Sequence, residues 1–176
     1  MPRGKRRTAK RRSPDLLRPL EVAVRLRKRH VCFAPAPSTG SERFIMTIIG
    51  IGLDATEIDR IDQAIRRFGD RFLLRIFTAG EIAYATRRRN PAPHFAGWFA
   101  AKEAAMKALG TGHSRGVLWR DIEVVRAGGP PQLRFHGGAA RRVQVVGATG
   151  ALLTITHSQT LALAQVLLIG PDTQNR

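Results

Sequence analysis

Gly50-Ile51-Gly52-Leu53-Asp54 and, further along, Trp98-Phe99-Ala100-Ala101-Lys102-Glu103-Ala104-Ala105-Met106-Lys107-Ala108 decide how this chain is read. The first lies in an apolar run with two glycines. Thr47 to Leu53 suits a buried strand, and such a strand would deliver Asp54 at its exit. The second is Ala-rich and reads as a helix, Phe95 to Leu109, carrying Glu103 between Lys102 and Lys107 and stopped by Gly110-Thr111-Gly112. Two acids from distant segments can hold a divalent cation, and lysines beside them can hold phosphates. Together they point to metal-assisted chemistry on a phosphorylated substrate.

Each residue also has a plainer reading. Asp is favoured at helix N-caps, and a helix follows Asp54. Glu103 stands four residues before Lys107, the orientation of a surface ion pair. Both readings stay open for the residues taken singly. In combination the chemical one gains weight, because glycine backbone lets a phosphate approach closely. Magnesium prefers oxygen ligands, one or two carboxylates plus substrate phosphates, and polarises the phosphorus under attack.

Around these words the pattern is regular. Ile58, Ile61, Ile65 and Phe68 form the apolar stripe of an amphipathic helix that Gly69 ends. Phe72 to Ile76 continues apolar, and Thr78 with Glu81 is a capping-box signature. Asn90-Pro91-Ala92-Pro93 breaks the chain before the Ala-rich helix. Asp121 to Arg126 and Gln132 to His136 are strand-like, joined by a turn at Gly128-Gly129-Pro130-Pro131. Gly138 to Val146 reads as a helix. Ala151 to His157 and Leu161 to Ile169 flank Ser158-Gln159-Thr160 as a hairpin. Helices grouped early and strands late predict an α+β fold with an antiparallel sheet packed against helices.

With 176 residues, 43% of them hydrophobic, the chain suits one domain with a sizeable core. Cys32 is the only cysteine, so no internal disulfide framework exists; a reducing compartment, the cytoplasm, is expected. No apolar run approaches the roughly 20 residues of a membrane span, and nothing resembles a secretory signal. The net charge of +17 is unevenly spread: residues 1–45 hold 13 Lys or Arg against 3 Asp or Glu, residues 46–176 hold 17 against 10. The expected organisation is a basic, disordered extension over 1–45, a domain over 46–170 and a tail over 171–176. Met46 directly precedes the first strand, which fits a start there with 1–45 upstream of it.

Ile49-Gly50-Ile51-Gly52-Leu53-Asp54 followed by Ile58-Asp59-Arg60-Ile61 resembles the opening of the holo-acyl-carrier-protein synthases. Phe99-Ala100-Ala101-Lys102-Glu103-Ala104 with Lys107-Ala108-Leu109-Gly110-Thr111-Gly112 is similar to their second signature, and Asp121-Ile122-Glu123-Val124 and Pro131-Gln132-Leu133-Arg134-Phe135 to their later strands. The resemblance covers roughly residues 46–169. It implies the 4′-phosphopantetheinyl transferase fold and reaction: coenzyme A as donor, a serine of apo-acyl carrier protein as acceptor, and adenosine 3′,5′-bisphosphate released.

By the same resemblance Asp54 and Glu103 match the magnesium-binding, catalytic acids, with Glu103 the base that takes the serine proton directly or through a water. Lys107 and the Gly110, Thr111 and Gly112 backbone match the region that meets coenzyme A phosphates. Lys102 belongs with them or is a surface residue, and His157 meets the nucleotide across a subunit boundary or is structural. Leu53 stands where many relatives carry a small or polar residue. The usual assembly is a homotrimer with active sites between subunits.

Arg60, Arg67, Arg71 and Arg75 can share one face if helix continues past Gly69, with Arg66 beside them and Asp59 and Asp62 interrupting the charge. The resemblance makes that face the docking surface for an acidic carrier protein. A competing reading is a nucleic-acid binder using the N-terminal arginines and Arg87-Arg88-Arg89. It lacks aromatics interleaved with the basic runs and any helix-turn-helix or zinc pattern. A non-catalytic relative is the third reading, opposed by the intact acids and lysines.

Overall fold

In the computed structural model the described residues are 46–171, apart from His113 and Ala127. The proposed extension over 1–45 and the end of the tail, 172–176, lie outside them. Strand β1 (Met46–Glu57) leads into helices α1 (Ile58–Phe68), α2 (Asp70–Ile76), α3 (Ala79–Thr86) and α4 (Ala92–Ala108). Strands β2 (Ile122–Val125) and β3 (Gln132–Phe135), helix α5 (Gly137–Val146), and strands β4 (Gly150–His157) and β5 (Leu161–Pro171) complete the chain. The expected α+β class and antiparallel pairing are both present. The strands form two sheets, β1-β5-β4 and β2-β3, and every pairing is antiparallel.

Alternation along β5 explains how the larger sheet is dressed. Ala162, Ala164, Val166 and Leu168 are buried on one face, and the residues between them are partly open. The buried face carries α4. This helix is apolar on nearly every side, because it lies between the sheet and the layer formed by α1 and β2. Gly50 and Gly52 set the distance of approach: a Cβ at Gly50 would meet the Ala108 carbonyl oxygen at 2.2 Å, and one at Gly52 the Ala104 carbonyl oxygen at 1.8 Å. Two glycines in a strand are therefore a packing requirement here, met by the alanines of the helix.

The structure departs from the sequence reading at two points and bears it out at a third. β1 does not end at Leu53; pairing with β5 continues through Asp54↔Ala164 to Glu57↔Leu161, so Asp54 lies within the strand. Gly69 ends α1 as expected: its φ of +53° breaks the helix, and α2 begins at Asp70, so Arg60 and Arg67 stand on a different helix from Arg71 and Arg75. The proline-rich segment does not hold the helix off until Phe95: Pro91 is the N-cap and α4 begins at Ala92, a prolines-first start that wastes no donor. The capping box at Thr78 and Glu81 forms as expected.

Candidate active site

Asp54 shares the α4-facing side of β1 with Gly50 and Gly52, by the two-residue period of a strand. Its neighbour on that side, Thr56, donates its hydroxyl to Asp54 Oδ2 at 3.0 Å. Lys107 Nζ stands 2.8 Å from Asp54 Oδ1 and 2.9 Å from the Leu53 carbonyl oxygen. Asp54 therefore caps no helix; the N-cap of α1 is Glu57, without a side-chain bond. The i, i+4 pair between Glu103 and Lys107 does not form either, since Lys107 turns to Asp54 and Glu103 accepts the indole N–H of Trp119 at Oε1. Glu103 and Lys107 are one turn apart on one flank of α4, and Ala104, next to Glu103, abuts Gly52. The close seam between strand and helix thus brings Asp54, Lys107 and Glu103 to one edge.

Lys102 is not a surface residue and does not face a phosphate. It is fully buried, 2.9 Å from Glu81 Oε2 and 3.2 Å from the Trp119 carbonyl oxygen, and it also donates to the Ile122 carbonyl. An ammonium has three donors, and all three are used inside the core. Burial pushes its pKa below the ordinary lysine range, against the opposing pull of Glu81. Glu81 is equally committed: beyond its capping-box bond it accepts Val124 N–H at 2.9 Å.

The Gly110-Thr111-Gly112 turn closes α4. Gly110 N–H donates to Lys107 O at 3.0 Å and Thr111 N–H to Met106 O at 3.1 Å, while the Thr111 side chain is buried. Gly110 and Gly112 have φ of +66° and +52°, which is why glycine stands there. Two of the three amides expected to meet phosphate are thereby taken by the helix; the exposed glycines still leave the backbone open to close approach.

His157 ends β4 and pairs across β5 with Ala162, which in turn pairs with Thr56. Two strand spacings, roughly 10 Å, separate it from β1. Within one chain it joins a different group at the start of α4. There His94 feels His157, Arg88 and Arg126, and burial lowers its pKa further than those charges do. Tyr84 has Arg88 over its ring at 4.3 Å, and its pKa is lowered chiefly by a hydrogen bond from Arg126. Arg88 is the described member of the Arg87-Arg88-Arg89 run with a defined partner.

Arg60, Arg71 and Arg75 do gather, although on two helices. They line one cleft of about 530 Å³ with Phe72, Phe99 and Trp119. Arg67 is not in its lining but lies 5.0 Å over the ring of Phe68, which is, and Arg66 is paired with Asp62 at 2.7 Å. Sequence reasoning missed Trp119, which touches both this cleft and Glu103. Its only linear signal is its position, one of two tryptophans in the chain and directly before a strand.

A magnesium ion suits the donor set. Asp54 already holds one cation, the Lys107 ammonium, and both acids are partly open carboxylates supplying hard oxygen. Among the described residues no cluster of three or more His, Cys, Asp or Glu could hold a metal unaided. Nor is any helix among the described residues long and apolar enough to cross a membrane.

Comparison with known proteins finds relatives over most of the described residues. Residues 50–163 match the profile of the 4′-phosphopantetheinyl transferase superfamily. The holo-[acyl-carrier-protein] synthase of Koribacter versatilis is 51% identical over 122 residues, 69% of this chain and 98% of that protein. That of Solibacter usitatus is 48% identical over the same lengths. Among solved structures, the holo-[acyl-carrier-protein] synthase of Neisseria meningitidis superposes with a TM-score of 0.65 at 30% identity, covering 69% of this chain and 98% of that one. The Bacillus anthracis synthase in complex with coenzyme A (3′,5′-ADP) gives 0.59 at 36% identity, covering 72% and 99%.

Proposed function

The chain belongs to the 4′-phosphopantetheinyl transferase superfamily, and from that premise we propose that it transfers 4′-phosphopantetheine from coenzyme A to a serine hydroxyl of an apo-acyl carrier protein. The serine oxygen attacks the β-phosphorus, the bond from that phosphorus to the bridging oxygen breaks, and adenosine 3′,5′-bisphosphate leaves. The observation that carries the reading is the seam at Gly50 and Gly52, which sets Asp54, Lys107 and Glu103 on one edge of the sheet.

Asp54 and Glu103 would hold magnesium, which when bound neutralises phosphate charge and makes the phosphorus more electrophilic. Glu103 accepts the serine proton, directly or through a water. Lys107 is half-exposed at 51% of its side chain, so its ammonium can leave Asp54 for a phosphate oxygen at little cost. The exposed glycines at 110 and 112 let the coenzyme pass close to the chain. Arg60 and Arg71 border the cleft, and with Arg67 they give the carrier protein a cationic face.

The outer side of the larger sheet supports a homotrimer. Ile51 and Leu152 pair through Leu167 in one outward row and are 60% and 55% exposed, and Leu53 follows at 53%. Such an apolar sheet face calls for cover. In an assembly with sites between subunits, His157 would reach a neighbour's nucleotide. The domain is proposed to run from residue 46 to 170. The test is the intact mass of an apo-acyl carrier protein incubated with this protein and coenzyme A, with magnesium or with chelator. A magnesium-dependent gain of one phosphopantetheine, lost in Glu103→Ala, is expected. No gain on several different apo-carriers, from a folded preparation, sinks the reading.

A further inference from the structure

The carboxylate of Glu103 is held by an unusual partner for an acid with a lysine one turn away on the same helix. Lys107 is one turn away and goes elsewhere; the donor to Glu103 Oε1 is the neutral indole N–H of Trp119. A cationic partner would offset the charge of the acid and compete with a metal for it. A neutral donor fixes the plane of the carboxylate and leaves its full negative charge.

Trp119 is itself fixed from both ends. Its carbonyl oxygen accepts Lys102 Nζ at 3.2 Å, and Lys102 is locked to Glu81 in the core. The 3₁₀ turn it opens, Trp119–Asp121, is closed by Asp121 N–H to Leu118 O at 3.0 Å. Asp121 Oδ2 also accepts Leu118 N–H at 3.2 Å and Gly138 N–H at 3.0 Å. The indole is stacked on Phe99, with centroids 6.2 Å apart and planes at 29°, and Arg75 lies 6.0 Å over it. Backbone and ring are therefore both held, and the N–H is held with them.

We propose that Trp119 is a positioning residue for Glu103. Its indole N–H occupies one carboxylate oxygen and so presents the other to the cation and the serine hydroxyl. Buried Lys102 acts one step behind it, by holding the Trp119 backbone. This rests on the transferase reading above, and the test keeps the two separable.

Trp119→Phe keeps the aromatic stack and removes the N–H. The expected result is a kcat lower by about 10–100-fold, the cost of a misplaced group, with the KM for coenzyme A within about threefold and the melting temperature little changed. The second readout needs no turnover. In a Trp98→Phe background Trp119 is the sole tryptophan, and its emission should shift when magnesium alone is added. Adding Glu103→Gln should abolish that shift.

A wild-type kcat in Trp119→Phe overturns the proposal. So does a collapse of kcat, KM and melting temperature together, the mark of a merely structural wall. If the wild-type protein transfers nothing to any carrier, the transferase reading falls on its own. The magnesium titration then decides for Trp119: an emission change that depends on Glu103 supports the link, and no change overturns it.

Discussion

Helix α4 carries two lysines, each beside a carboxylate at nearly the same distance: Lys102 at 2.9 Å from Glu81, and Lys107 at 2.8 Å from Asp54. The side chains of the first pair are 0% and 1% exposed, those of the second 51% and 16%. Separation does not distinguish them; surroundings do. Inside the core neither charge can be released without leaving the other stranded in a poor dielectric. At the edge of the sheet Lys107 stands half in water and Asp54 is partly open, so the proposed exchange of their partners for a phosphate and a metal costs far less. One pair is structure, and the other is the proposed site.

The largest effect should come from breaking the buried pair. Lys102→Ala leaves Glu81 with an uncompensated charge and the Trp119 and Ile122 carbonyls without their donor. A loss of about 3–5 kcal/mol in unfolding free energy is expected, measured by urea denaturation of the variant. A loss below about 1 kcal/mol, with a raised KM for coenzyme A, would return Lys102 to the phosphate site. Next comes the seam that brings the second pair together. Gly52→Ala puts a Cβ 1.8 Å from the Ala104 carbonyl oxygen, so α4 must shift at a cost of about 1–3 kcal/mol. Transfer activity should fall with it, because Lys107 and Glu103 move away from Asp54. An alanine accepted at full stability and activity would show that the approach of strand to helix is looser than the structure has it.

Lys107→Ala sharpens the contrast from the other side. Removing an exposed partner should change stability by at most about 1 kcal/mol. The KM for coenzyme A should rise roughly tenfold, equivalent to ~1.4 kcal/mol of binding. Equal stability losses in Lys102→Ala and Lys107→Ala would erase the distinction between the two pairs.

Much of this was legible in the linear sequence where local rules act. The stripe at Ile58, Ile61 and Ile65, the capping box at Thr78 and the hairpin around Ser158 depend on neighbours a few residues away, and the structure has them all. Lys102 shows where the reading stops. Adjacent helix positions point about 100° apart, so Lys102 and Glu103 must face different surroundings, but which of them faces the core depends on Glu81, twenty-one residues earlier. Trp119 is hidden for the same reason: its bond to Glu103 spans sixteen residues. The break at Gly69 was readable as a helix end and the grouping of Arg60, Arg71 and Arg75 as a shared face, but the cleft they line was not, because it needs the turn between two helices. The resemblance to a known family, meanwhile, gives Asp54 and Glu103 their proposed roles but says nothing of what holds them.

The smallest effect lies at the other end of α4, where a partly buried histidine has arginines for neighbours. His94 is lowered from its ordinary value, first by burial and then by Arg88, Arg126 and His157. The unfolded chain therefore binds this proton more readily than the folded one does. Stability is at its full value above the unfolded pKa of about 6.5, declines as pH falls through that value, and stops declining below the lowered folded pKa. Melting temperatures recorded at about pH 7.5 and pH 5.5 should show the drop, and His94→Gln should flatten it without altering the melt at the higher pH. The effect is modest because His94 and His157 both retain access to water, which screens their repulsion. Coenzyme A, if its phosphates reach this group in the assembled protein, should reverse the sign of the local field. Saturating coenzyme A would then remove the same drop in the wild-type protein. A decline of equal size in His94→Gln would assign the acid sensitivity elsewhere.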